Sequence, residues 1–155
     1  MIAVLQRVKK ASVSVDDKIV GECQKGLFIL VGVADGDDRK DAEVLANKIL
    51  GLRIFNDEDD RMNLSVQDVD GELLVVSNFT LLASYKKGKR PDYMAAASPK
   101  VAEELYEYFA SLCASEVKHM GKGVFGAHME ISSVCDGPVT IVMDSKVLLG
   151  RAQLG

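Results

Sequence analysis

Residues 123–141 read G-V-F-G-A-H-M-E-I-S-S-V-C-D-G-P-V-T-I, and the pattern changes in the middle of this stretch. The first half alternates as a strand does, the pattern breaks at Asp136-Gly137-Pro138, and strand character returns at 139–142. A cis peptide costs little only before proline, and glycine has no Cβ, so a Gly-Pro pair can aim its carbonyls where an ordinary strand cannot. Two interpretations stay open on these residues alone: a rigid presenter of backbone acceptors, and a plain hairpin turn.

The amino-terminal part of the chain predicts three strands. Residues 2–8 and 12–15 alternate between apolar and polar side chains, Asp16-Asp17 supplies a turn, and 19–23 continue as a strand, which predicts a hairpin. Residues 27–31 form a continuous apolar run, typical of a strand buried on both faces, and 73–76 form a second one. We expect the 27–31 strand to lie near the centre of the sheet.

Two segments have the apolar spacing of helices. Asp38 is placed to cap the first, whose stripe at i, i+3, i+4 and i+7 is Ala42, Leu45, Ala46 and Ile49. Ser98 is placed to cap the second, which Pro99 begins and whose apolar side chains are Val101, Leu105, Tyr108, Phe109 and Leu112. The order of elements predicts an α+β fold, with a mixed, strongly curved, barrel-like β-sheet and two outer α-helices, and residues 1–155 forming a single domain.

Composition narrows the class of protein. Of 155 residues, 48% are hydrophobic and 27% charged, and the net charge of −4 argues against binding nucleic acid over the whole surface. No apolar run approaches membrane-spanning length and the first residues lack the layout of a signal peptide, so we expect a cytoplasmic protein. The three cysteines fit neither a disulfide framework nor a zinc motif, and we expect reduced thiols.

Small polar residues follow the buried 73–76 run, in the sequence S-N-F-T-L at 77–81. At the end of a core strand, unpaired backbone N–H groups and hydroxyls can face a ligand, so the segment 77–81, with the hydroxyls of Ser77 and Thr80, is a candidate site. The alternative is that the Ser77 and Thr80 hydroxyls satisfy local backbone groups.

A basic loop follows, with four cations in five residues beside a tyrosine: Lys86, Lys87, Lys89 and Arg90. In an acidic chain such a loop can clamp phosphates, and a solvated, flexible loop is the alternative. The acidic segment 56–63 lacks the glycine-spaced calcium pattern, and we interpret it as a solvated loop. His119 and His128 have no third ligand at metal-binding spacing, so we interpret both as structural or exposed.

Motifs for side-chain catalysis and cofactor binding are missing from the sequence. Neither Ser77 nor Thr80 lies in G-x-S-x-G, and there is no P-loop, G-x-G-x-x-G or H-E-x-x-H. The groups that remain for catalysis are on the backbone. Amides after 73–76 could stabilise an oxyanion, and the Gly137-Pro138 carbonyls could accept hydrogen bonds from an ammonium group. Oxyanion stabilisation, about 3–4 kcal/mol per donor, can suffice for an activated ester such as an aminoacyl ester. We expect neither a cofactor nor a metal.

Several motifs together resemble one family from residue 1 to about residue 142. These are A-V-L-Q-R-V at 3–8, A-S-V-S-V at 11–15, S-N-F-T-L at 77–81, K-G-K-R-P at 87–91, A-S-P-K-V-A-E-E-L-Y-E-Y-F at 97–109 and D-G-P-V-T at 136–140. In order and spacing they resemble D-aminoacyl-tRNA deacylase. The resemblance implies a homodimeric, metal-independent enzyme that hydrolyses the ester between a D-amino acid and the 3′-terminal adenosine of tRNA, and that also accepts glycine mischarged on tRNA.

The resemblance also implies roles for individual residues. Ser77, Phe79 and Thr80 would surround the scissile ester, with Asn78 beside them and backbone N–H groups holding the oxyanion. Gly137 and Pro138, joined by a cis peptide, would reach in from the other subunit, bind the α-amino group and exclude an L side chain. The remaining pocket or support residues would be Arg7, which braces the Gly-Pro segment, Ala102, Phe125 and Met129. Thr80 would only position the substrate, because the 2′-hydroxyl of the substrate itself assists catalysis.

Two residues depart from the family pattern. The family usually has Gln where Asn78 stands and Asn where Cys135 stands, which puts the fine shape of the pocket and the bracing of the Gly-Pro segment in question. Two other functions remain as hypotheses: a non-catalytic tRNA- or nucleic-acid-binding module that uses the 85–90 loop, and a small-ester hydrolase that uses Thr80 as nucleophile.

Overall fold

A computed structural model describes residues 1–151. They contain eight strands, three α-helices and one 3₁₀ helix, in the order β1 (Ile2–Val15), β2 (Lys18–Cys23), β3 (Gly26–Gly32), α1 (Arg39–Gly51), β4 (Phe55–Asn56), β5 (Met62–Leu64), β6 (Glu72–Ser77), the 3₁₀ helix (Phe79–Leu82), α2 (Pro99–Ala114), β7 (Met120–Lys122), β8 (Glu130–Asp144) and α3 (Ser145–Leu148). Among these helices, none is both long and apolar enough to cross a membrane.

The main sheet is mixed and nearly closed into a barrel. Its order is β2-β1-β3-β6-β7, and β1 pairs with β8 as well. β1 is antiparallel to β2, β3 and β8, whereas β6 is parallel to both β3 and β7. The two ends of this order meet where glycines let backbones approach, since a Cβ on Gly121 would lie 2.5 Å from the backbone of Glu22. The predicted α+β, barrel-like architecture is confirmed.

The predicted amino-terminal strands are confirmed, with one difference in length. Residues 2–8 and 12–15 belong to a single strand, β1, whose pairing with β8 shifts register on either side of Val8. Asp16 and Asp17 form the turn to β2, with φ values of 50° and 64°. β3 lies between β1 and β6, and its predicted burial on both faces is confirmed at all but Leu30, which is half-buried.

The first predicted helix is confirmed in its cap and in its buried face. The Asp38 carboxylate accepts hydrogen bonds from the backbone N–H groups of Lys40 and Asp41, and the Asp41 carboxylate accepts one from the Asp38 N–H, which completes a capping box. The predicted stripe is fully buried: Ala42, Leu45, Ala46 and Ile49. This face lies in the main core with the β3 and β6 side chains.

The second predicted helix is present, but two details of the prediction are wrong. Pro99 begins α2, yet the Ser98 side chain makes no capping hydrogen bond. Val101 is 40% exposed because it lies in the first turn, ahead of the buried part of the helix. The rest of the predicted apolar stripe is confirmed, since Leu105 and Phe109 are buried and Tyr108 and Leu112 pack half-buried against the core. The helix also buries Tyr106, Ala110 and Cys113.

Two further segments are more ordered than the sequence predicts. The acidic segment 56–63 is the turn of a short hairpin, β4–β5, held by the Asp57 carboxylate, which accepts hydrogen bonds from the N–H groups of Asp59 and Arg61. After β8 the chain forms the short helix α3, and Leu148 packs against the core while Val147 is exposed. Residues 152–155 lie outside the described residues.

The Asp136-Gly137-Pro138 segment does not reverse the chain. β8 runs through it from Glu130 to Asp144 and pairs with β1 on both sides of it, so the hairpin interpretation is wrong. The physical reason is the length of β1, which offers partners to β8 along its whole edge and keeps the chain extended across the break. The Gly137-Pro138 peptide bond is cis.

The cysteines are free, and two of them are buried. Burial raises the pKa of the Cys23 thiol to about 11 and that of the Cys113 thiol to about 12. Cys135 is exposed on β8.

The close approach of β2 and β7 predicts a site of high sensitivity. We expect Gly121→Ala to lower the free energy of unfolding by about 1–3 kcal/mol, because the new Cβ meets the backbone of Glu22, which cannot rotate away. The matched control is Gly51→Ala, whose Cβ meets nothing within 4 Å and which gains helix propensity at the end of α1. Urea unfolding followed by circular dichroism measures both; equal stabilities would contradict the close approach.

Candidate active site

A cavity of about 750 Å³ opens where β6 ends. Its wall is formed by the end of β6, the 3₁₀ helix, the start of α2 and the segment between β7 and β8. It gathers seven of the residues predicted for the site: Ser77, Asn78, Phe79, Thr80, Ala102, Phe125 and Met129. These residues are distant in sequence, so the fold itself brings the predicted motifs together.

The end of the parallel pairing between β3 and β6 exposes the S-N-F-T-L motif. The pairing stops at Val31 and Ser77, and the Asn78 N–H then donates to the Val31 carbonyl at 2.8 Å. Asn78 caps the 3₁₀ helix through its side chain, so the chain turns out of the sheet at this residue. Phe79 and Thr80 are therefore exposed at the cavity although the strand before them is buried.

The backbone amides after β6 differ in what they can still bind. The Asn78 N–H is used by Val31, and the Thr80 N–H donates to the Asn78 Oδ1 at 3.2 Å. The Phe79 N–H, in contrast, has no acceptor among residues 1–151. Of the three amides, Phe79 is the one free to donate to a bound group.

Two hydrogen bonds to the Val75 carbonyl position the opposite wall of the cavity. The Gly123 N–H and the Tyr106 hydroxyl both donate to the Val75 carbonyl, each at 3.0 Å, which fixes the 123–129 segment and α2 beside β6. The Met129 sulfur packs over Gly123, where a Cβ would lie 2.7 Å from it. The Tyr106 ring lies 6.1 Å from the Phe125 ring, centroid to centroid. Burial, with a smaller contribution from the Glu107 charge, raises the pKa of Tyr106, so its hydroxyl stays protonated as a structural donor.

Two other cavity residues were not predicted for the site: Tyr93, and His128, which the sequence analysis interpreted as structural or exposed. Tyr93 lines the cavity and packs edge to face on Phe79, with ring centroids 5.0 Å apart. His128 lies at the exposed rim of the cavity. Only adjacency to a predicted residue, Met129, could have indicated His128, and no sequence signal indicates Tyr93. Within residues 1–151, no three histidine, cysteine or acidic side chains are grouped to hold a metal ion.

Three predicted site residues lie away from the cavity in this chain. Gly137 and Pro138 are exposed on β8 and do not line it. Arg7 is buried: its Nε donates to the Asp136 carbonyl at 3.0 Å, and its Nη1 donates to the Ile54 carbonyl at 2.8 Å and to the Asn56 Oδ1 at 3.3 Å. The guanidinium thus links β1 to the residue that precedes Gly137.

The four cations of the basic loop are exposed: Lys86, Lys87, Lys89 and Arg90. None of them is ion-paired within the described part of the chain. Ser84 and Asp92 close the base of the loop with two backbone hydrogen bonds of 2.8 and 2.9 Å. Tyr93, which follows Asp92, lines the cavity, so the loop begins and ends close to it.

Comparison with known proteins gives consistent matches. The family described as D-Tyr-tRNA(Tyr) deacylase matches residues 4–144. Two curated relatives, each named D-aminoacyl-tRNA deacylase, come from Caldicellulosiruptor saccharolyticus (54% identical) and Clostridium acetobutylicum (50% identical), each over 146 residues that cover 94% of this chain and 98% of the relative.

Two solved structures share the fold. One, named c-Myc DNA Unwinding Element Binding Protein, has a TM-score of 0.88 and 37% identity and covers 93% of this chain and 98% of that chain. The other, described as a probable eukaryotic D-amino acid tRNA deacylase, has a TM-score of 0.79 and 17% identity. The match covers 92% of this chain and 98% of that chain. At that identity the second likeness concerns the fold alone.

The contacts of Arg7 predict a large loss of stability when its guanidinium is removed. We expect Arg7→Met to lower the free energy of unfolding by about 2–3 kcal/mol, because two backbone carbonyls lose a charged donor. Lys9→Met is the control: Lys9 is exposed on the same strand, and the change should stay within about 0.5 kcal/mol. Chemical denaturation measures the free energy of unfolding of both variants. Equal losses in Arg7→Met and Lys9→Met would rule out the bracing contact.

Proposed function

Because the chain belongs to the D-Tyr-tRNA(Tyr) deacylase family, we propose that it hydrolyses the ester that joins a D-amino acid to the 3′ end of tRNA, releasing the free D-amino acid and tRNA. The observation that carries this proposal is the cavity at the end of β6, which gathers seven residues of the predicted site. Its volume of about 750 Å³ accommodates an aminoacyl group together with a terminal nucleoside.

The Phe79 N–H, at the end of β6, would stabilise the negative charge that develops on the ester oxygen during hydrolysis. Water attacks the ester carbonyl, negative charge develops on its oxygen, and the ribose oxygen leaves with a proton. The Phe79 N–H has no other acceptor among residues 1–151, so it can donate to this oxygen. One such donor contributes about 3–4 kcal/mol to a transition state, which is sufficient assistance for an ester that is already activated. Ser77 and Thr80 add polar contacts around the scissile bond.

The Thr80 hydroxyl does not have the surroundings of an activated nucleophile. It donates to the Asn78 Oδ1 at 2.5 Å, and an amide oxygen is too weak a base to remove its proton. This contact argues against the Thr80-dependent ester hydrolase. The proposal instead leaves proton movement to the 2′-hydroxyl of the substrate.

A second copy of the chain would complete the site. Gly137 and Pro138 are exposed and lie outside the cavity of their own chain, on a strand that pairs only with β1 among the described strands. β8 exposes apolar side chains, and one of them, Ile131, also lines the cavity. A partner docked along β8 could therefore place its Gly-Pro carbonyls on the α-amino group, where they would exclude an L side chain and still admit glycine.

The basic loop would hold the tRNA. Its four cations, which form no ion pair within residues 1–151, could contact phosphates of the acceptor end, and the cavity that Tyr93 lines at the end of the loop would receive the terminal adenosine against Phe125, Met129 and Ala102. A tRNA substrate would place the protein in the cytoplasm.

The reaction is tested by comparing D-tyrosyl-tRNA with L-tyrosyl-tRNA, with a chelator present throughout. We expect the purified protein to hydrolyse the D ester rapidly and to spare the L ester, because the Gly-Pro carbonyls leave room only for a hydrogen on the L side. Release of labelled amino acid measures both rates. Equal hydrolysis of the two esters would contradict the chirality gate, and survival of both would contradict the deacylase.

The role of the basic loop is tested by removing charge. We expect the double change Lys86→Gln and Lys87→Gln to raise KM for D-tyrosyl-tRNA about tenfold at moderate salt and to leave kcat unchanged. The slope of log KM against log salt concentration should fall by about two, because about two phosphate contacts are lost. Lys40→Gln with Lys48→Gln, two exposed lysines of α1, removes the same charge elsewhere and should leave KM unaltered. Equal effects of the two pairs would show that the loop is only a solvated segment.

A nucleic-acid-binding module without catalysis is the second candidate. One structural neighbour, 37% identical, is named as a DNA-unwinding-element binding protein, and the exposed basic loop suits a nucleic acid. This function requires binding of uncharged tRNA with steep salt dependence and no effect on the ester, so the two-ester assay separates the two candidates.

A further inference from the structure

Asn78 and Thr80 share a pair of contacts whose chemistry is unambiguous. The Asn78 Oδ1 position accepts the Thr80 N–H at 3.2 Å and contacts the Thr80 Oγ1 at 2.5 Å. A backbone N–H can only donate, so the amide atom that faces it must be the oxygen and not the nitrogen. An amide oxygen can only accept, so the Thr80 hydroxyl must donate its single proton to Asn78.

We propose that Asn78 is a positioning residue that makes Thr80 an obligate hydrogen-bond acceptor in the cavity; this inference rests on the proposed deacylase function. With its proton committed, the Thr80 Oγ1 has only lone pairs left for a bound group. The same amide oxygen caps the 3₁₀ helix, so the hydroxyl and the backbone that carries it are held by one atom. Asn78 therefore acts through Thr80 and sets the direction of its hydroxyl.

This assignment divides the polar groups of the cavity into a donor and an acceptor. The Phe79 N–H is the donor and suits the ester carbonyl oxygen, which can only accept. Thr80 is the acceptor and suits a group that donates. Two donors flank the ester bond of an aminoacyl-tRNA, the α-ammonium group and the neighbouring ribose hydroxyl. Since the Gly-Pro carbonyls take the ammonium group in the proposed mechanism, Thr80 receives the ribose 2′-hydroxyl and orients it toward the ester.

A double-mutant cycle tests whether Asn78 acts through Thr80. Thr80→Val keeps the side-chain shape and removes the hydroxyl, and Asn78→Leu keeps the approximate shape and removes the acceptor. We expect each to lower kcat/KM for D-tyrosyl-tRNA about five- to tenfold, and the double variant to be no more than about twofold below Thr80→Val. A purely structural role of Asn78 would make the losses multiply to roughly 25- to 100-fold, and that result would overturn the inference.

Rotamer measurements test the same contact without any substrate. Three-bond couplings from the Thr80 methyl carbon to its backbone nitrogen and carbonyl carbon report χ1. We expect a single rotamer in the unaltered protein and averaged couplings in Asn78→Leu, because among residues 1–151 the Asn78 oxygen is the one partner of the hydroxyl. An averaged rotamer in the unaltered protein, or a single one in Asn78→Leu, would overturn the inference. If the unaltered protein hydrolyses neither ester, the proposed function fails and the couplings alone decide on Asn78.

Discussion

The architecture depends on β1 being hydrogen-bonded along both of its edges. On one edge its first half pairs with β3 and its second half with β2, and on the other edge β8 follows it from end to end. A fourteen-residue strand with partners on both sides cannot shift without breaking two ladders at once. It therefore fixes the relative positions of the buried centre of the sheet, which carries the cavity, and of the outer strand, which carries the Gly-Pro segment. Arg7 adds a side-chain bond across the same strand pair.

The cavity has a simple origin in this framework. β3 and β6 are parallel and buried, so the place where their pairing ends is a concave edge lined by apolar side chains with a few unpaired polar groups. The sequence puts small and polar residues there, and the turn that Asn78 caps divides their hydrogen-bonding capacity between the fold and the cavity. Among residues 1–151, the Phe79 N–H has no acceptor, whereas the N–H groups of Asn78 and Thr80 are hydrogen-bonded. The groups that can bind a ligand here are those that the hydrogen bonds of the sheet and of the 3₁₀ helix do not use.

Much of this could be predicted from local sequence, and the failures share one cause. Alternation and continuous apolar runs predicted β1, β2, β3 and β6, because each pattern reflects which faces are buried. The break at Asp136-Gly137-Pro138 looks like a turn locally, but pairing with β1 across the break overrides it, and pairing over more than a hundred residues leaves no local signal. The Ser98 cap was wrong because the residue type permits a cap without requiring one.

In the site, too, residues within a sequence motif could be predicted, whereas contacts between distant parts of the chain could not. The S-N-F-T-L motif, Phe125 and Met129 were predicted to meet because they match family motifs, not because of periodicity. Tyr93 was missed because its contact with Phe79 arises from the path of the loop between them. Gly137 and Pro138 do not line the cavity of their own chain, and no local pattern in the sequence predicts this separation.

The distribution of thiols has a practical consequence for observing this enzyme at work. Cys23 and Cys113 are buried and have pKa values of about 11 and 12, so near neutral pH almost no thiolate is present at either position. Cys135 is exposed, two residues from Gly137 on the same strand. Of the three thiols, a maleimide dye would consequently attach at Cys135, without mutagenesis, and would report changes in the environment of the Gly-Pro segment.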